Sequence, residues 1–390
     1  MRRSPMSDGT MKNQEFSIFV SAGEASGDLH GSNLVRALQA RLPQLRVACL
    51  GGAMLRQAGA EILVDNREIA VVGLSEVFRH VQSIVRAWRI ITAHLVRERP
   101  ALLVIIDFPD FNLLLARWAK RHGIRIFYYI CPQLWAWRSG RTRTLKRLVD
   151  RMVVVLPFEP AFYAAHNLTA HYVGHPLLDV LAGAPTRAEA RSRYAGADPS
   201  ALVGFLPGSR SSELRLLLPL LLETAHRLHT QRPDLTFLLP VAPSLSATLV
   251  EQAVASTPLP IKVVTGDTYG VMRACDVLCT ASGTATLEAA ILGTPMIIVY
   301  KVSKLSSIAG RHLIRVKHAG LPNLIAQRSI VPELLQEEAR PERLTAEVLA
   351  LLEQPDRIAR QREDLARIRS ELGEPGVAVR VAQLVMEMIN

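Results

Sequence analysis

The chain has 390 residues, 46 of them basic against 35 acidic, giving a formal charge of +11 and a pI near 9.9; only seven of the basic residues are lysines, so arginine carries the excess. That balance favours acidic partners, whether phosphate-bearing substrates, an anionic membrane surface or nucleic acid, and the length suits two domains, or one unusually large one, with a substantial core. No run approaches the roughly 20 apolar residues of a membrane-spanning helix, Met1 to Glu15 lacks the apolar stretch of a secretory signal, and Cys49, Cys131, Cys275 and Cys279 have neither zinc-ribbon nor redox-pair spacing. A soluble, cytoplasmic chain with reduced, buried cysteines is therefore expected.

After a polar extension over residues 1–15, short apolar runs alternate with helical ones. Strands are predicted over Ser17–Ser21, Arg46–Leu50, Leu102–Ile106, Arg125–Tyr129 and Met152–Leu156, with a helix near Asp28–Leu42. A second series follows the Gly174-His175-Pro176 break: Leu202–Leu206, Thr236–Val241, Ile261–Thr265, Val277–Thr280 and Pro295–Tyr300. Runs of this kind specify parallel, doubly wound α/β sheets, here in two halves. The expected division is a first domain over 16–175, a second over 176–365 and a C-terminal helix over 366–390 that packs back on the first. Ala182-Gly183-Ala184-Pro185 reads as the hinge or its edge, and ligands are expected beyond the strand carboxyl ends, in a cleft between the halves.

Between Leu74 and Leu95 apolar residues recur at helical spacing, with Arg79, His80, Arg86 and Arg89 between them. Two readings stand open: a core-facing helix with a solvated basic face, or a surface element that meets acyl chains and anionic headgroups. Residues 301–318, with Lys301, Lys304, Arg311, Arg315 and Lys317, form a second basic segment suited to the same membrane or to a diphosphate.

Four turns after predicted strands carry the chemistry. Ser21-Ala-Gly-Glu-Ala-Ser-Gly-Asp28 has small residues that let a ligand approach the backbone, but Glu24 and Asp28 would repel an anion and suit sugar hydroxyls or a structural role instead. Asp107-Phe-Pro-Asp110-Phe-Asn112 places two carboxylates where a general base would sit, one of which could simply cap the next helix. Leu206-Pro-Gly-Ser-Arg210 offers an arginine whose planar fork binds phosphate oxygens. Ser282-Gly-Thr-Ala-Thr-Leu-Glu288 puts a small-residue turn before a helix over 287–292 that Gly293 and Pro295 stop. It reads either as an ordinary βα turn or as a phosphate cradle, with Glu288 placed to accept from ribose hydroxyls. His175 could face the cleft or be structural. No clustered His/Cys set or Asp-x-Asp follows a strand, so no metal and no cofactor are expected.

Together SAGEASGD (21–28), DFPDFN (107–112), PQLWAWR (132–138), LPGSR (206–210), SGTATLE (282–288) and LPN (321–323) resemble, in the same order, the motifs of the lipid-A-disaccharide synthase family over roughly residues 16–355. Cys131 stands where that family usually has serine, and 301–319 is atypical. The resemblance implies a GT-B fold, two Rossmann-like domains facing across a cleft. It implies an inverting glycosyltransferase that joins UDP-2,3-diacylglucosamine to 2,3-diacylglucosamine 1-phosphate (lipid X) and releases UDP. Asp110 falls on the family's catalytic base. Arg210, Ser282, Thr284 and Glu288 match its UDP-side positions, Asn323 its Leu-Pro-Asn motif and Glu24 its first-loop acid, while His175 is a further substrate-side candidate. A peripheral enzyme on the cytoplasmic face of the inner membrane follows, with no nucleic-acid partner and a homodimer left open. The rival readings are another UDP-sugar enzyme of this fold, either a peptidoglycan-precursor transferase or a UDP-N-acetylglucosamine epimerase, and a non-catalytic nucleotide-sugar-binding protein.

Overall fold

The computed structural model describes residues 16–69, 77–136, 139–195, 201–302 and 317–389. The polar extension, Leu74, Trp137, Arg138, Lys304, Arg311 and Arg315 lie outside the described residues.

The first half runs β1 (Ser17–Ala22), α1 (Ala25–Gln39), β2 (Arg46–Gly51), α2 (Ala53–Gln57), β3 (Glu61–Asp65), α3 (Val77–Glu98), β4 (Leu102–Ile106) and α4 (Pro109–Arg121). It continues with β5 (Arg125–Tyr129), α5 (Thr142–Leu148), β6 (Arg151–Val154), α6 (Glu159–Ala164) and β7 (His171–Tyr172). All neighbours pair in parallel, in the order β3-β2-β1-β4-β5-β6-β7. The chain reverses direction across the sheet between β1 and β4, so the turns after those two strands open side by side, where ligands bind in such sheets.

The connection carries α7 (Leu177–Leu181) and α8 (Arg187–Tyr194). The second half then runs β8 (Leu202–Leu206), α9 (Ser211–Gln231), β9 (Thr236–Val241), α10 (Ala247–Ala255), β10 (Ile261–Thr265), α11 (Thr268–Ala274), β11 (Val277–Ala281) and α12 (Thr284–Leu292). After it come β12 (Met296–Tyr300), α13 (Leu321–Ala326), β13 (Glu333–Leu335), α14 (Pro341–Glu353), α15 (Pro355–Glu371) and α16 (Val377–Ile389). The sheet order β10-β9-β8-β11-β12-β13 repeats the reversal, now between β8 and β11. Leu102–Ile106 and Val277–Ala281 are buried along their whole length, which is why those strands read as unbroken apolar runs.

The chain crosses between the halves twice, and the crossings touch. His175 N donates to Leu372 O at 3.0 Å. Gly174, at φ +100°, lies against Val377 and Arg380, where a side chain would be crowded. The crossings lie at 174–176 and 372–376, and Ala182–Pro185, read from the sequence as the hinge or its edge, is a loop between α7 and α8. The boundary expected at 366 falls inside α15, which stays with the second half through Gln361, whose amide bridges the Met296 N–H and carbonyl. The helix that returns is α16. Asp179 of α7 accepts from the N–H groups of Gly376, Val377 and Ala378, and Arg151 of the first sheet donates to Leu384 O and Glu387. One hydrophobic cluster runs from Leu34 and Leu38 of α1 through Val381 and Val385 of α16 to Leu177 of α7 and Leu287 of α12, tying the halves together.

Candidate active site

The first-half site is two interlocked turns. Asp107 and Phe108 both lie in the left-handed region, at φ 45° and 47°, a conformation side-chain-bearing residues rarely adopt. Neighbours hold them there. Asn112, fully buried, donates to Asp107 O at 2.8 Å and Ile106 O at 3.2 Å and accepts from Ser21 Oγ at 2.6 Å, while Tyr128 Oη donates to Asp107 O at 3.1 Å. The Phe108 ring lies over Gly23, where any Cβ would overlap it. The first and second motifs are thus two sides of one contact: Gly23 on Phe108, Ser21 on Asn112, and Glu24 beside Asp107.

That arrangement separates three acids. Asp28 is buried and accepts from Gly52 N, Met54 N and Leu55 N at 2.7 to 3.2 Å, which gives it a structural role. Asp107 is pushed up to about 6 by burial and by the negative charge of Glu24. Asp110 stands in the first turn of α4, its side chain 73% exposed, with Arg141 Nη2 donating to Oδ1 at 2.7 Å. The neighbouring loop is anchored by Glu159. That carboxylate is buried, accepts from Trp135 Nε1, Val155 N and Leu156 N, and is pushed up to about 7 by burial.

In the second half Arg210 is the N-cap of α9, its side chain 74% exposed and 3.1 Å from Glu213. Glu213 also accepts from Ser209 N at 3.0 Å and Arg210 N at 3.3 Å. Ser209 N and Arg210 N are therefore occupied, and the exposed guanidinium stands beside them as a group that can meet a phosphate. At the N-terminus of α12, Gly283 and Thr284 are exposed, and the first-turn N–H groups of a helix have no intrahelical acceptor. The helix begins three residues earlier than the sequence suggested, so Thr284 sits in its first turn. Glu288, mostly enclosed and shifted upward by burial, accepts from Tyr269 Oη at 3.2 Å.

Two candidates are buried within the protein. Asn323 is fully buried; it donates to Val331 O and Glu333 and accepts from Ile330 N and Val331 N, so its amide has no capacity left for substrate. Its effect is indirect, because Glu333 in turn holds Ala319 N and Gly320 N, and Ser282 Oγ donates to Ala319 O at 2.7 Å. His175 is buried in the crossover, accepts from Leu177 N and is pushed down to about 3 by burial and by neighbouring His30. It is a neutral structural group. Sequence reasoning missed Arg141 and Tyr269, whose partners are 31 and 19 residues away, and the contacts of Glu213. Among the described residues no three His, Cys, Asp or Glu side chains are grouped to hold a metal ion, and no helix is long and apolar enough to cross a membrane.

A family model described as lipid-A-disaccharide synthetase matches residues 18–388. The chain belongs to that family. A lipid-A-disaccharide synthase of Geobacter sulfurreducens is 45% identical over 97% of this chain and 99% of its own, and one of Nitrosococcus oceani is 40% identical over 97% and 98%. Membership makes the chain a glycosyltransferase of lipid A biosynthesis, acting on nucleotide-sugar and lipid-linked sugar substrates. The fold is that of the GT-B enzymes. A UDP-GlcNAc 2-epimerase from Neisseria meningitidis, solved with UDP-GlcNAc, superposes with a TM-score of 0.66 at 11% identity over 95% of this chain and all of that one. MurG of Acinetobacter baumannii superposes at 0.56 and 14% identity over 96% and 100%. Family membership decides among the readings that the fold alone leaves open.

Proposed function

We propose that the chain transfers a 2,3-diacylglucosaminyl unit from UDP to the 6-hydroxyl of 2,3-diacylglucosamine 1-phosphate, with inversion at the anomeric carbon. The observation that carries this reading is the division of charge between the two sets of strand ends. The first half presents carboxylates at Asp110, Asp107 and Glu24, and the second presents Arg210 and the N-terminus of α12. A direct displacement needs both: a base for the acceptor hydroxyl on one side and positive potential for the departing diphosphate on the other.

In this reading Asp110 takes the proton of the 6-hydroxyl as its oxygen attacks the anomeric carbon and the bond to UDP breaks. Arg210 leaves Glu213 for the diphosphate, the N–H groups at Thr284 add to it, and Glu288 accepts from the ribose. Side chains and helix ends thus meet the leaving-group charge, and no cofactor enters. Ser282 and Asn323 act by holding the 319–320 turn against α12.

The acyl chains need an apolar surface, and α3 and α4 offer one. Val81 and Val85 are 50% and 42% exposed and Leu114 is 53% exposed, with Arg86 and Arg89 exposed alongside. We place this face on the anionic cytoplasmic leaflet. Ile84 and Trp88 are partly buried, Trp88 edge-on to Phe111 at 6.0 Å, so they belong to the core side of the helix.

The test is a pair of variants read separately for chemistry and binding. Asp110→Ala should abolish turnover and keep UDP affinity, and Arg210→Ala should weaken UDP binding about 10- to 100-fold. Near-normal turnover of the first variant, or unchanged UDP affinity of the second, would remove that residue from the mechanism.

A further inference from the structure

Arg141 belongs to none of the motifs, yet it touches the residue on which the reaction turns. It closes the 3-10 turn Ser139–Arg141 that leads into α5, and its Nη2 donates to Asp110 Oδ1 at 2.7 Å. The arginine side chain is 29% exposed and the aspartate 73%, so the cation is rooted in the protein and the carboxylate reaches it from the rim. Its charge also bears on the Tyr128 hydroxyl, which holds Asp107 O. Arg141 therefore sits at the shared edge of both carboxylate turns, with Arg143, Lys146 and Arg147 exposed on the adjoining helix.

An oxygen engaged by a guanidinium is poorly placed to accept a hydroxyl proton, so the resting pair and the catalytic role conflict. Partner exchange resolves the conflict. A partly exposed arginine-carboxylate pair is only weakly stabilising, so a stronger partner can replace the carboxylate on Arg141. A phosphate monoester is the stronger partner, with more charge and oxygens that match the arginine fork bidentately. The acceptor in the reaction proposed above carries such a group on the same hexose ring as the attacking hydroxyl. An arginine side chain covers the distance between the two ends of that ring by changing rotamers.

We propose that Arg141 binds the acceptor's 1-phosphate and is also a latch on the base, pairing with Asp110 in the unliganded protein and passing to the phosphate when the acceptor arrives. Asp110 Oδ1 is then presented to the 6-hydroxyl only in the productive complex. Donor alone leaves the latch shut, which disfavours loss of the activated sugar to water. The proposal rests on the reading of the acceptor as a sugar 1-phosphate.

A substrate-variant cycle tests it: lipid X and its dephosphorylated counterpart as acceptors, against the unaltered chain, Arg141→Ala and Arg141→Lys, with UDP-2,3-diacylglucosamine as donor. For the unaltered chain, removing the phosphate should lower kcat/KM about 10- to 100-fold. Arg141→Ala should suffer a similar loss with lipid X, mainly in acceptor KM with donor KM unchanged, and should distinguish the two acceptors by less than about threefold. Arg141→Lys keeps the charge and should recover part of the discrimination; it carries the test if the alanine variant does not fold. Losses that multiply, or an unchanged acceptor KM in Arg141→Ala, would overturn the proposal while leaving the reaction intact. No turnover of lipid X by the unaltered chain would instead overturn the reading on which it rests.

Discussion

At the scale of single residues, the site is held in a conformation the protein would not adopt for stability alone. Two consecutive left-handed residues, Asp107 and Phe108, depend on Asn112, Tyr128 and Gly23 to persist. Asp107 carries an electrostatic cost as well. Its folded-state value of about 6 lies above the usual carboxylate value, so between about pH 4 and 6 the native state binds more protons than the unfolded one and stability falls as pH rises through that window. By linkage the cost above pH 6 is on the order of 2–3 kcal/mol. Asp107→Asn should therefore raise the unfolding midpoint at pH 7.5, with the gain shrinking toward pH 4; a gain of equal size at both pH values would show that charge is not its cause. Residue-scale roles were only partly legible in the sequence. Asp110 and Arg210 lie exposed at strand ends, as their motifs suggested. Asn323 read as a ligand because it closes a motif, but motif membership does not reveal burial. Arg141 left no local signal, because its significance is a contact across 31 residues that only the β4-β5-α5 topology creates.

At the scale of elements, the continuously apolar strands were legible, whereas β3, β7 and β13 were not, β3 because acids at Glu61 and Asp65 bound only three apolar residues. Runs such as Leu102–Ile106 announce themselves by continuous apolar character, whereas β7 has two residues and β13 three, too few for any period. Helix starts shifted by three residues at α1 and α12, where small polar residues belong equally to a loop and to a first turn. The returning helix α16 matters more than its place at the chain end suggests, since Asp179 accepts from three N–H groups at its start. Asp179→Ala should lower stability by about 1–3 kcal/mol, measured as a lower urea midpoint; an unchanged midpoint would show that the cap contributes nothing. On α3, Ile91 and Leu95 are core, while Val81 and Val85 face outward. Val81→Ser with Val85→Ser should reduce partitioning onto vesicles containing anionic lipid and leave UDP affinity alone. Unchanged partitioning by the folded variant would assign this face no membrane role.

At the scale of the whole molecule, two parallel sheets of similar topology carry opposite chemistry. The turns after β1 and β4 gather carboxylates, and the turns after β8 and β11 offer an arginine and a helix N-terminus. Two adjoining crossings and a shared hydrophobic cluster keep the halves in one body. The overall charge of +11 is consistent with phosphate-bearing substrates on an anionic surface, and it gains meaning only from where Arg210, Arg141 and the α3 arginines stand. The most direct measurement is a turnover assay on the purified chain with UDP-2,3-diacylglucosamine and lipid X, following UDP release and the linkage of the product. Equal amounts of UDP and a β-linked disaccharide 1-phosphate, with little UDP released in the absence of lipid X, are expected. An α-linked product, an epimerised donor, or UDP release that does not depend on lipid X would contradict the account.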